Sequence, residues 1–237
     1  MRKSTKYLPF RSRALSGLLR LFFYFLYNQF AWLYDFVADT VSLGKWDEWI
    51  LTVLPYLNGS RFLELGHGTG RLQVEMCRRG MKVIGLDSSK RMGRIAFKRI
   101  VGRKFFPLLV NGYAQLLPFP DRSFDQVVST FPSEYIFDIK SLNEVWRVLT
   151  PGGSLIILPV AWIRGNQPLE RMAAWLFRFT GQAPAWDSRM VMPFQNAGFE
   201  IQTNREIINS SEILLVFAIK PNDHNLVESN NHQRATA

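Results

Sequence analysis

The sequence predicts a Rossmann-like α/β fold, in which strands alternate with helices, and three observations support this prediction. Residues 62–65 are apolar except for Glu64 and are typical of a short buried strand. Three glycines follow at alternate positions, namely Gly66, Gly68 and Gly70. Such glycines permit a tight turn with positive φ and a close approach of the backbone to a ligand. A second apolar run, 82–86, ends at Asp87, about 20 residues past the glycines, where a carboxylate can bind both ribose hydroxyls.

The glycine spacing indicates which nucleoside the site accepts. Dinucleotide sites use Gly-x-Gly-x-x-Gly and direct a helix N-terminus at a pyrophosphate. This chain has Gly-x-Gly-x-Gly, and Glu64 lies two residues before the first glycine. A carboxylate there would repel a pyrophosphate and attract a cationic amino group. S-adenosylmethionine carries an ammonium and a sulfonium but no phosphate, so we expect it to be the cofactor.

Together, Glu64, the three glycines and Asp87 resemble the first motif of class I S-adenosylmethionine-dependent methyltransferases of the type 11 group. Two later stretches extend the resemblance: 116–129, similar to the loop and fourth strand, and 142–158, similar to a helix, a Pro-Gly-Gly turn and the fifth strand. The resemblance is good over about residues 50–160. It implies N-terminal helices followed by a seven-stranded, mostly parallel sheet whose last strand is antiparallel. The competing interpretation is a Rossmann-like domain that has lost its ligand.

The resemblance also implies a set of cofactor-binding residues. Glu64 and Gly66 would face the methionine end, with Gly68 and Gly70 in the loop against the ligand. Asp87 would bind the ribose and Ser88 would border the adenine. Ala114 would donate its backbone N–H to the adenine edge. The chain departs from the family at Tyr113, where related sequences usually have Asp; a tyrosine can stack or donate, but it cannot act as a carboxylate.

The reaction itself needs mainly alignment and a dry pocket, because the leaving group of a sulfonium is neutral. Residues 130–135 follow the fourth strand, at the sheet edge where such folds bind ligands. Phe131 is expected to flank the sulfonium. Glu134 and Tyr135 are the candidates for substrate contact or proton acceptance; alternatively, Glu134 caps the next helix and Tyr135 packs. His67, between two motif glycines, is a further candidate for a base, or a side chain that only hydrogen-bonds.

Composition restricts the remaining possibilities. The chain of 237 residues contains one cysteine, Cys77, which excludes an internal disulfide and is interpreted as a small packed residue. Histidines, cysteines and carboxylates do not occur at metal-ligand spacing, so we predict no metal.

The net charge of +10 is concentrated in two segments. Residues 1–20 carry six basic residues and no acidic ones, and residues 88–120 carry seven and none. Such clustering favours an anionic partner, either nucleic acid or the inner face of a membrane, although a plain solvated face remains open for the second cluster. Residues 15–34 are rich in aromatics but are interrupted by polar side chains. They predict an amphipathic helix that lies in a membrane interface, a lid over the domain, or both.

The chain is divided as follows. Residues 1–57 form a basic arm and aromatic-rich helices, with breaks near Leu43-Gly44 and Pro55. The S-adenosylmethionine-binding domain covers 58–220, with an insertion at 162–186 that contains a short helix near 172–179. The tail 221–237 is expected to be disordered. The segment 34–49 resembles the region before the first strand in quinone-biosynthesis C-methyltransferases, which favours a lipophilic substrate.

The sequence therefore predicts an S-adenosylmethionine-dependent methyltransferase acting on a lipophilic or membrane-associated small molecule, such as a quinone precursor or a lipid-like acceptor. We expect it to be cytoplasmic and peripheral on the inner membrane face. Two alternatives stay open: an RNA methyltransferase, which the charge would suit, and a non-catalytic, membrane-associated module that binds S-adenosylmethionine.

Overall fold

A seven-stranded sheet organises the computed structural model, which describes residues 34–165 and 188–222. The strands are β1 (Arg61–Leu65), β2 (Lys82–Asp87), β3 (Leu109–Asn111), β4 (Phe124–Thr130), β5 (Leu149–Ile163), β6 (Glu200–Ile208) and β7 (Ser211–Ile219). The helices are α1 (Tyr34–Val41), α2 (Trp46–Leu51), α3 (Arg71–Arg78), α4 (Lys90–Gly102), α5 (Ile139–Val148) and α6 (Ser188–Asn196). Two 3₁₀ segments are described as well, Leu54–Tyr56 and Glu134–Phe137.

The strand order is β3-β2-β1-β4-β5-β7-β6. The first five strands of the chain are mutually parallel, whereas β7 is antiparallel to both β5 and β6. The predicted fold class is therefore confirmed. The chain order reverses between β1 and β4, and in open α/β sheets the ligand crevice lies outside the carboxyl ends of the strands at such a point.

Strand β1 is buried on both faces because helices cover the sheet from both sides. Phe62 joins a core that includes Trp49 of α2 and Leu72 of α3. Leu63 and Leu65 point the other way, into a core shared with α5 and α6. Alternate burial on two faces follows from the two-residue period of a strand. It fixes β1 in the middle of the molecule, with its carboxyl end at the crevice.

The predicted helices after the glycines, after Asp87 and before Pro151 are confirmed as α3, α4 and α5. Ser89 caps α4, because its hydroxyl accepts the Met92 N–H over 3.3 Å. Asp138, rather than Glu134, caps α5 by accepting the Lys140 N–H over 3.0 Å. The predicted break near residues 43–44 is also confirmed, since Leu43 and Gly44 both have positive φ.

The fifth strand was predicted too short. Sequence alone ends it at Leu158, but β5 extends to Ile163, because Trp162 and Ile163 pair with Glu212 and Ser211 of β7. The Pro-Gly-Gly turn lies within the strand: Gly152, with φ +74°, donates its N–H to the Lys220 carbonyl over 3.0 Å. The first two residues of the predicted insertion, Trp162 and Ile163, therefore belong to β5.

Several predicted features lie outside the described residues. These are the arm 1–14, the aromatic segment 15–34 apart from Tyr34, the helix near 172–179 and the tail beyond Asn222. Among the helices that are described, none has the length and apolar character needed to cross a bilayer. Cys77 is half-buried against the core beside Met76, in agreement with its interpretation as a packing residue.

Candidate functional site

The glycine loop joins β1 to α3 at the crevice. Gly66, Gly68 and Gly70 all have positive φ, of 70°, 53° and 79°. A Cβ at Gly70 would lie 2.8 Å from the Cβ of Ala96, so glycine there lets α4 pack against the loop. A Cβ at Gly68 would meet nothing within 4 Å, so this glycine faces open space. The loop is thus closed against the protein at one glycine and open to a ligand at another.

Asp87 ties this loop to the second strand. Its carboxylate is buried and accepts the backbone N–H of Gly68 over 2.9 Å through one oxygen. The other oxygen accepts the N–H of Ser89 over 2.8 Å, at the start of α4. Each carboxylate oxygen is thus held by a backbone N–H. Asp87 therefore presents a fixed pair of acceptors at the end of β2.

Glu64 is buried beneath the loop. Gln73 of α3 donates its side-chain N–H to the Glu64 carboxylate over 2.8 Å. Burial raises the pKa of Glu64 to about 8; the Gln73 hydrogen bond lowers it and the charge of Asp87 raises it further. At neutral pH, without a cationic ligand, the carboxyl group is therefore largely protonated. A cation nearby would favour its ionisation.

His67 points back into the protein. Its ring is buried, and its Cδ2 would lie 3.0 Å from a Cβ placed on Gly85 of β2. Its Nδ1 lies 2.9 Å from the Gly68 carbonyl oxygen, which can only accept, so Nδ1 is assigned as the protonated nitrogen. Burial lowers the pKa of His67, against the opposing effect of Asp87, so the imidazole is neutral at physiological pH.

Helix α1 is attached to the glycine loop by a network of charged side chains centred on Asp35. The Asp35 carboxylate accepts the Thr69 hydroxyl over 2.7 Å and the Arg71 Nε–H over 3.0 Å, and it pairs with Arg99 of α4. Burial disfavours the charged carboxylate, but hydrogen bonds from Arg99 and Thr69 outweigh burial and lower the pKa of Asp35. The network connects α1, the loop and α4.

Arg71 extends the same network along α1 to Asp39 and on to Asp47 of α2. Its guanidinium donates to Asp39 and Asp47, with 2.8 Å contacts to each. Arg99 also donates to the Thr69 carbonyl over 2.9 Å. The helices before β1 are thereby fixed to the loop that follows it.

The segment after β4 closes the other side of the crevice. The Tyr135 hydroxyl donates to the Leu65 carbonyl over 3.0 Å and lies 2.8 Å from the Ser129 hydroxyl. It is also 2.7 Å from the position of a Cβ on Gly66, so the phenol fills the space beside that glycine. Burial raises the pKa of Tyr135 well above its usual value, and the phenol stays protonated. Glu134, one residue earlier, is exposed.

Phe131 packs against the N-terminal helices. It has φ +47°, and its ring stacks on Trp46 with centroids 4.3 Å apart. Its N–H donates to the Leu158 carbonyl over 2.7 Å, which fixes this strained residue directly after β4 and beside β5. Phe131 is therefore placed by the same helices that Arg71 and Asp35 hold.

A cavity of about 490 Å³ opens between α4 and the strands β2 and β3. Its buried end is formed by His67 and Asp87, and its outer part by Arg94, Phe97 and Lys98. Asn111 also lines it, and its side-chain amide donates to the carbonyls of Asp87 and Ser88 over 2.9 and 3.0 Å. Among the described residues, no group of three or more histidines, cysteines and carboxylates is placed to hold a metal ion.

Comparison with known proteins gives the family. The family model of the methyltransferase domain matches residues 63–157. The demethylmenaquinone methyltransferase of Thermotoga maritima is 31% identical over 175 residues, which cover 71% of this chain and 70% of that protein. The chain belongs to the class I S-adenosylmethionine-dependent methyltransferases.

Other relatives of this methyltransferase chain agree in name. The demethylmenaquinone methyltransferase of Thermobifida fusca is 34% identical over 161 residues, covering 63% of this chain and 65% of that protein. The enzyme of the same name from Lactiplantibacillus plantarum is 26% identical over 201 residues and covers 81% of this chain and 84% of its own length. The chain spans slightly less than two thirds of the length of the Thermobifida fusca protein.

Solved structures agree in fold. A methyltransferase dependent on S-adenosylmethionine from Aquifex aeolicus has a TM-score of 0.53 at 18% identity, covering 73% of this chain and 88% of its own. The [4+2]-cyclase SpnF has a TM-score of 0.55 at 18% identity, covering 74% and 81%. At this identity the likeness concerns the fold alone, and the cyclase illustrates that one fold supports more than one reaction.

The structure brings most of the predicted site of this methyltransferase to one crevice. Glu64, the glycine loop, His67 and Asp87 surround the ends of β1 and β2, and Tyr135 lies against Gly66. The adenine-edge residues differ in exposure: Ala114 is buried, whereas Ser88 and Tyr113 are exposed. The sequence reasoning missed Asp35, Thr69 and Arg99 as one network, and Asn111 as the residue that fixes Ser88. The sequence signals of this network were weak: an acidic residue in the first turn of α1 and Arg99, which is one of five basic residues in α4.

Proposed function

We propose that the chain binds S-adenosylmethionine and transfers its methyl group to a lipophilic quinone precursor of the kind that its relatives' names specify, a demethylmenaquinone. The observation that carries the proposal is the Asp87 carboxylate, held by Gly68 and Ser89 at the open side of the glycine loop of a class I methyltransferase. The relatives named demethylmenaquinone methyltransferase support the choice of acceptor.

The residues present fit this donor. A Cβ at Gly68 would fill space that is empty, and among the described residues no cation contributes to lowering the raised pKa of the buried Glu64. In this proposal Asp87 accepts the ribose hydroxyls, and Glu64 ionises toward the donor's ammonium group. Gly68 lets the loop approach the ligand, whereas Gly66 and Gly70 leave room for Tyr135 and Ala96, which shape the loop. Ser88, Tyr113 and Ala114 border the adenine, and Phe131 presents an aromatic ring toward the sulfonium.

The donor supplies an activated methyl group on a sulfonium, so the chain supplies alignment and exclusion of water. A reduced quinone must also lose a proton when its ring carbon is methylated, and a base nearby assists this step. We assign this role to Glu134, which is exposed at the carboxyl ends of the strands. His67 is a second candidate, because Nε2 of its neutral ring carries a lone pair. Tyr135 is a third, and its hydroxyl already donates to Leu65, which suits a positioning role better.

We further propose that the chain works in the cytoplasm at an anionic membrane surface, since a prenylated quinone resides in the bilayer. The six basic residues within the first 20 support this location. The net charge of +10 equally favours RNA as the acceptor, and this alternative is included in the test.

The test is methyl transfer from labelled S-adenosylmethionine by the full chain. The acceptors are vesicles that contain a chemically reduced demethylmenaquinone, vesicles without it, and total RNA. We expect label in the quinone fraction only. The variant Asp87→Ala should lose this transfer, whereas Asp121→Ala, which alters an exposed carboxylate, should retain it. Label in RNA alone would favour the RNA alternative, and binding of the donor without transfer would favour a non-catalytic module.

A further inference from the structure

Helix α4 carries an exposed stripe that combines cations with apolar side chains. The stripe consists of Lys90, Arg94, Phe97, Lys98 and Val101, and we refer to it as the α4 face. These positions follow the i, i+4, i+7, i+8, i+11 spacing, which places them on one side of a helix. The opposite side carries Met92, Ala96 and Ile100, which are fully buried against the sheet. The exposed α4 face therefore presents basic and apolar side chains next to one another.

The exposed character continues beyond the end of the helix. Phe106 is 82% exposed and Leu108 is 44% exposed, and both lie in the connection from α4 to β3. Arg103 and Lys104 are exposed in the same connection. Large apolar side chains are normally scattered singly on a soluble surface, so several of them on one helix and its following turn indicate an interaction site.

The charge of this surface selects its partner. Residues 88–120 contain seven basic residues and no acidic ones. Arg99 is turned inward to Thr69 and Asp35, and the other basic side chains are exposed. A surface that is positive throughout is complementary to an anionic surface and would repel a second basic chain.

We infer that the α4 face and the turn after it, through Phe106, form a membrane-docking surface for anionic lipid. Phe97, Val101 and Phe106 enter the interface, and the lysines and arginines around them bind lipid headgroups, as in interfacial amphipathic helices. The aliphatic side chains of Val101 and Leu108, both exposed on this surface, favour lipid over nucleic acid. Aliphatic side chains gain little from phosphates, and nucleic-acid surfaces rely on cations and stacking aromatics.

This inference rests on the membrane location proposed above, and it adds a docking surface in the folded domain to the basic residues near the start of the chain. It also relates docking to the site. Phe97 and Lys98 line the outer part of the cavity whose inner end is Asp87, and Arg99 holds the glycine loop from within the same helix. A bilayer on the α4 face would thus lie beside the crevice.

The test removes the two apolar groups that lie outside the cavity. In the full chain, Val101→Ser with Phe106→Ser exchanges side chains that are 47% and 82% exposed. The matched control is Ile139→Ser with Ile207→Ser, at side chains that are 44% and 80% exposed and lie on α5 and on β6, at the opposite edge of the sheet. Partition is measured by co-sedimentation with vesicles of phosphatidylglycerol and phosphatidylcholine, and with vesicles of phosphatidylcholine alone. Affinity for S-adenosylhomocysteine is measured on the same samples.

We expect the Val101/Phe106 variant to partition about tenfold more weakly into the anionic vesicles, because two apolar groups no longer enter the interface. The control should stay within twofold of the parent chain, and all three proteins should bind S-adenosylhomocysteine alike. Lys104→Gln, with Lys140→Gln as its control, tests the charge separately and should weaken partition several-fold.

Two outcomes would overturn the inference. One is equal partition by the Val101/Phe106 variant and the control. The other is loss of vesicle binding with Lys104→Gln only, together with competition by RNA, which would make the surface a nucleic-acid site. A third outcome separates the two proposals. If neither the parent chain nor any variant binds S-adenosylhomocysteine, the proposed function is contradicted. If partition into anionic vesicles still differs between the variants as expected, the docking inference stands.

Discussion

The Asp87 carboxylate accepts the backbone N–H of Gly68 over 2.9 Å, across 19 residues of sequence. This single hydrogen bond joins the carboxyl end of β2 to the middle of the glycine loop. The proposed ribose acceptor and the glycine backbone proposed to approach the ligand are thereby fixed to each other. The backbone N–H of Ser89 holds the second carboxylate oxygen, so the acceptor pair cannot rotate freely.

Gly68 provides a direct test of the open side of the loop. Gly68→Ala places a methyl group at φ +53°, in space where nothing lies within 4 Å. We expect a loss of about 1–2 kcal/mol of folding free energy from the left-handed conformation and at least tenfold weaker binding of S-adenosylmethionine. Gly80→Ala is the control, because Gly80 has φ +73° and is equally open but lies in the turn after α3. Equal affinities for the two variants would show that the ligand does not approach Gly68.

Glu64→Gln should change stability and cofactor affinity in opposite directions. The pKa of Glu64 is raised to about 8 in the folded chain from an ordinary value of 4.5. The folded state therefore binds more protons than the unfolded state between these values, and this group's contribution to stability is full below pH 4.5 and is lost as pH rises through 8. We expect the free energy of unfolding of the glutamine variant to exceed that of the parent chain by about 2–4 kcal/mol at pH 8. Near pH 4.5 the two values should be equal.

The same substitution removes the charge that balances the donor's ammonium group, so binding of S-adenosylmethionine should weaken. Calorimetry in buffers of different ionisation enthalpy should also detect about one proton released on binding at pH 7 by the parent chain, and none by the variant. A variant that is both more stable and a better binder would contradict the assignment of Glu64 to the methionine end.

Asp35→Asn tests whether the helices before β1 support the loop. The carboxylate is partly buried against Thr69, Arg71 and Arg99, and removing its charge leaves two guanidinium groups without this partner. We expect a loss of about 2 kcal/mol of folding free energy and several-fold weaker cofactor binding. Asp47→Asn alters another partner of Arg71 whose side chain is 63% exposed, and it should cost less than about 0.5 kcal/mol. Chemical denaturation measures the stability and calorimetry measures the cofactor affinity. Equal stability and equal affinity for the two variants would contradict the claim that the Asp35 network supports the glycine loop.

Glu134→Gln and Tyr135→Phe distinguish the neighbouring candidates for proton acceptance. Loss of a general base should lower kcat by about 100-fold or more with unchanged affinity for S-adenosylhomocysteine, and we expect this for Glu134→Gln. Tyr135→Phe removes a hydroxyl that donates to the Leu65 carbonyl, and it should cost about 1 kcal/mol of stability and less than tenfold in kcat. The reverse pattern would transfer the chemical role to the tyrosine.

The parts of the fold that were predicted correctly are those encoded by neighbouring residues. The glycine loop, the end of β2 at Asp87 and the helix α4 each follow from a short local pattern, and their positions agree with the structure. The Asp35 network was not predictable in this way, because Asp35 reaches partners that are 34 and 64 residues away. The length of β5 was missed for the same reason: pairing with β7 continues the strand past Leu158, and no local signal marks that partner.

The exposure of Tyr113 shows a further limit of reasoning from sequence. The departure from the family's Asp was visible, but its consequence depends on where the ring points, and the ring is largely exposed beside the buried Ala114. Ser88, the other exposed residue predicted to border the adenine, is held in place by Asn111, whose side-chain amide donates to its carbonyl.

The most direct measurement of the central claim is the calorimetric titration of the full chain and of Asp87→Ala with S-adenosylmethionine. The account predicts stoichiometric binding by the parent chain and a loss of about 1.5–3 kcal/mol of binding free energy in the variant, the scale of hydrogen bonds to a charged acceptor. A silent titration of the parent chain, or equal affinities for the two proteins, would contradict it.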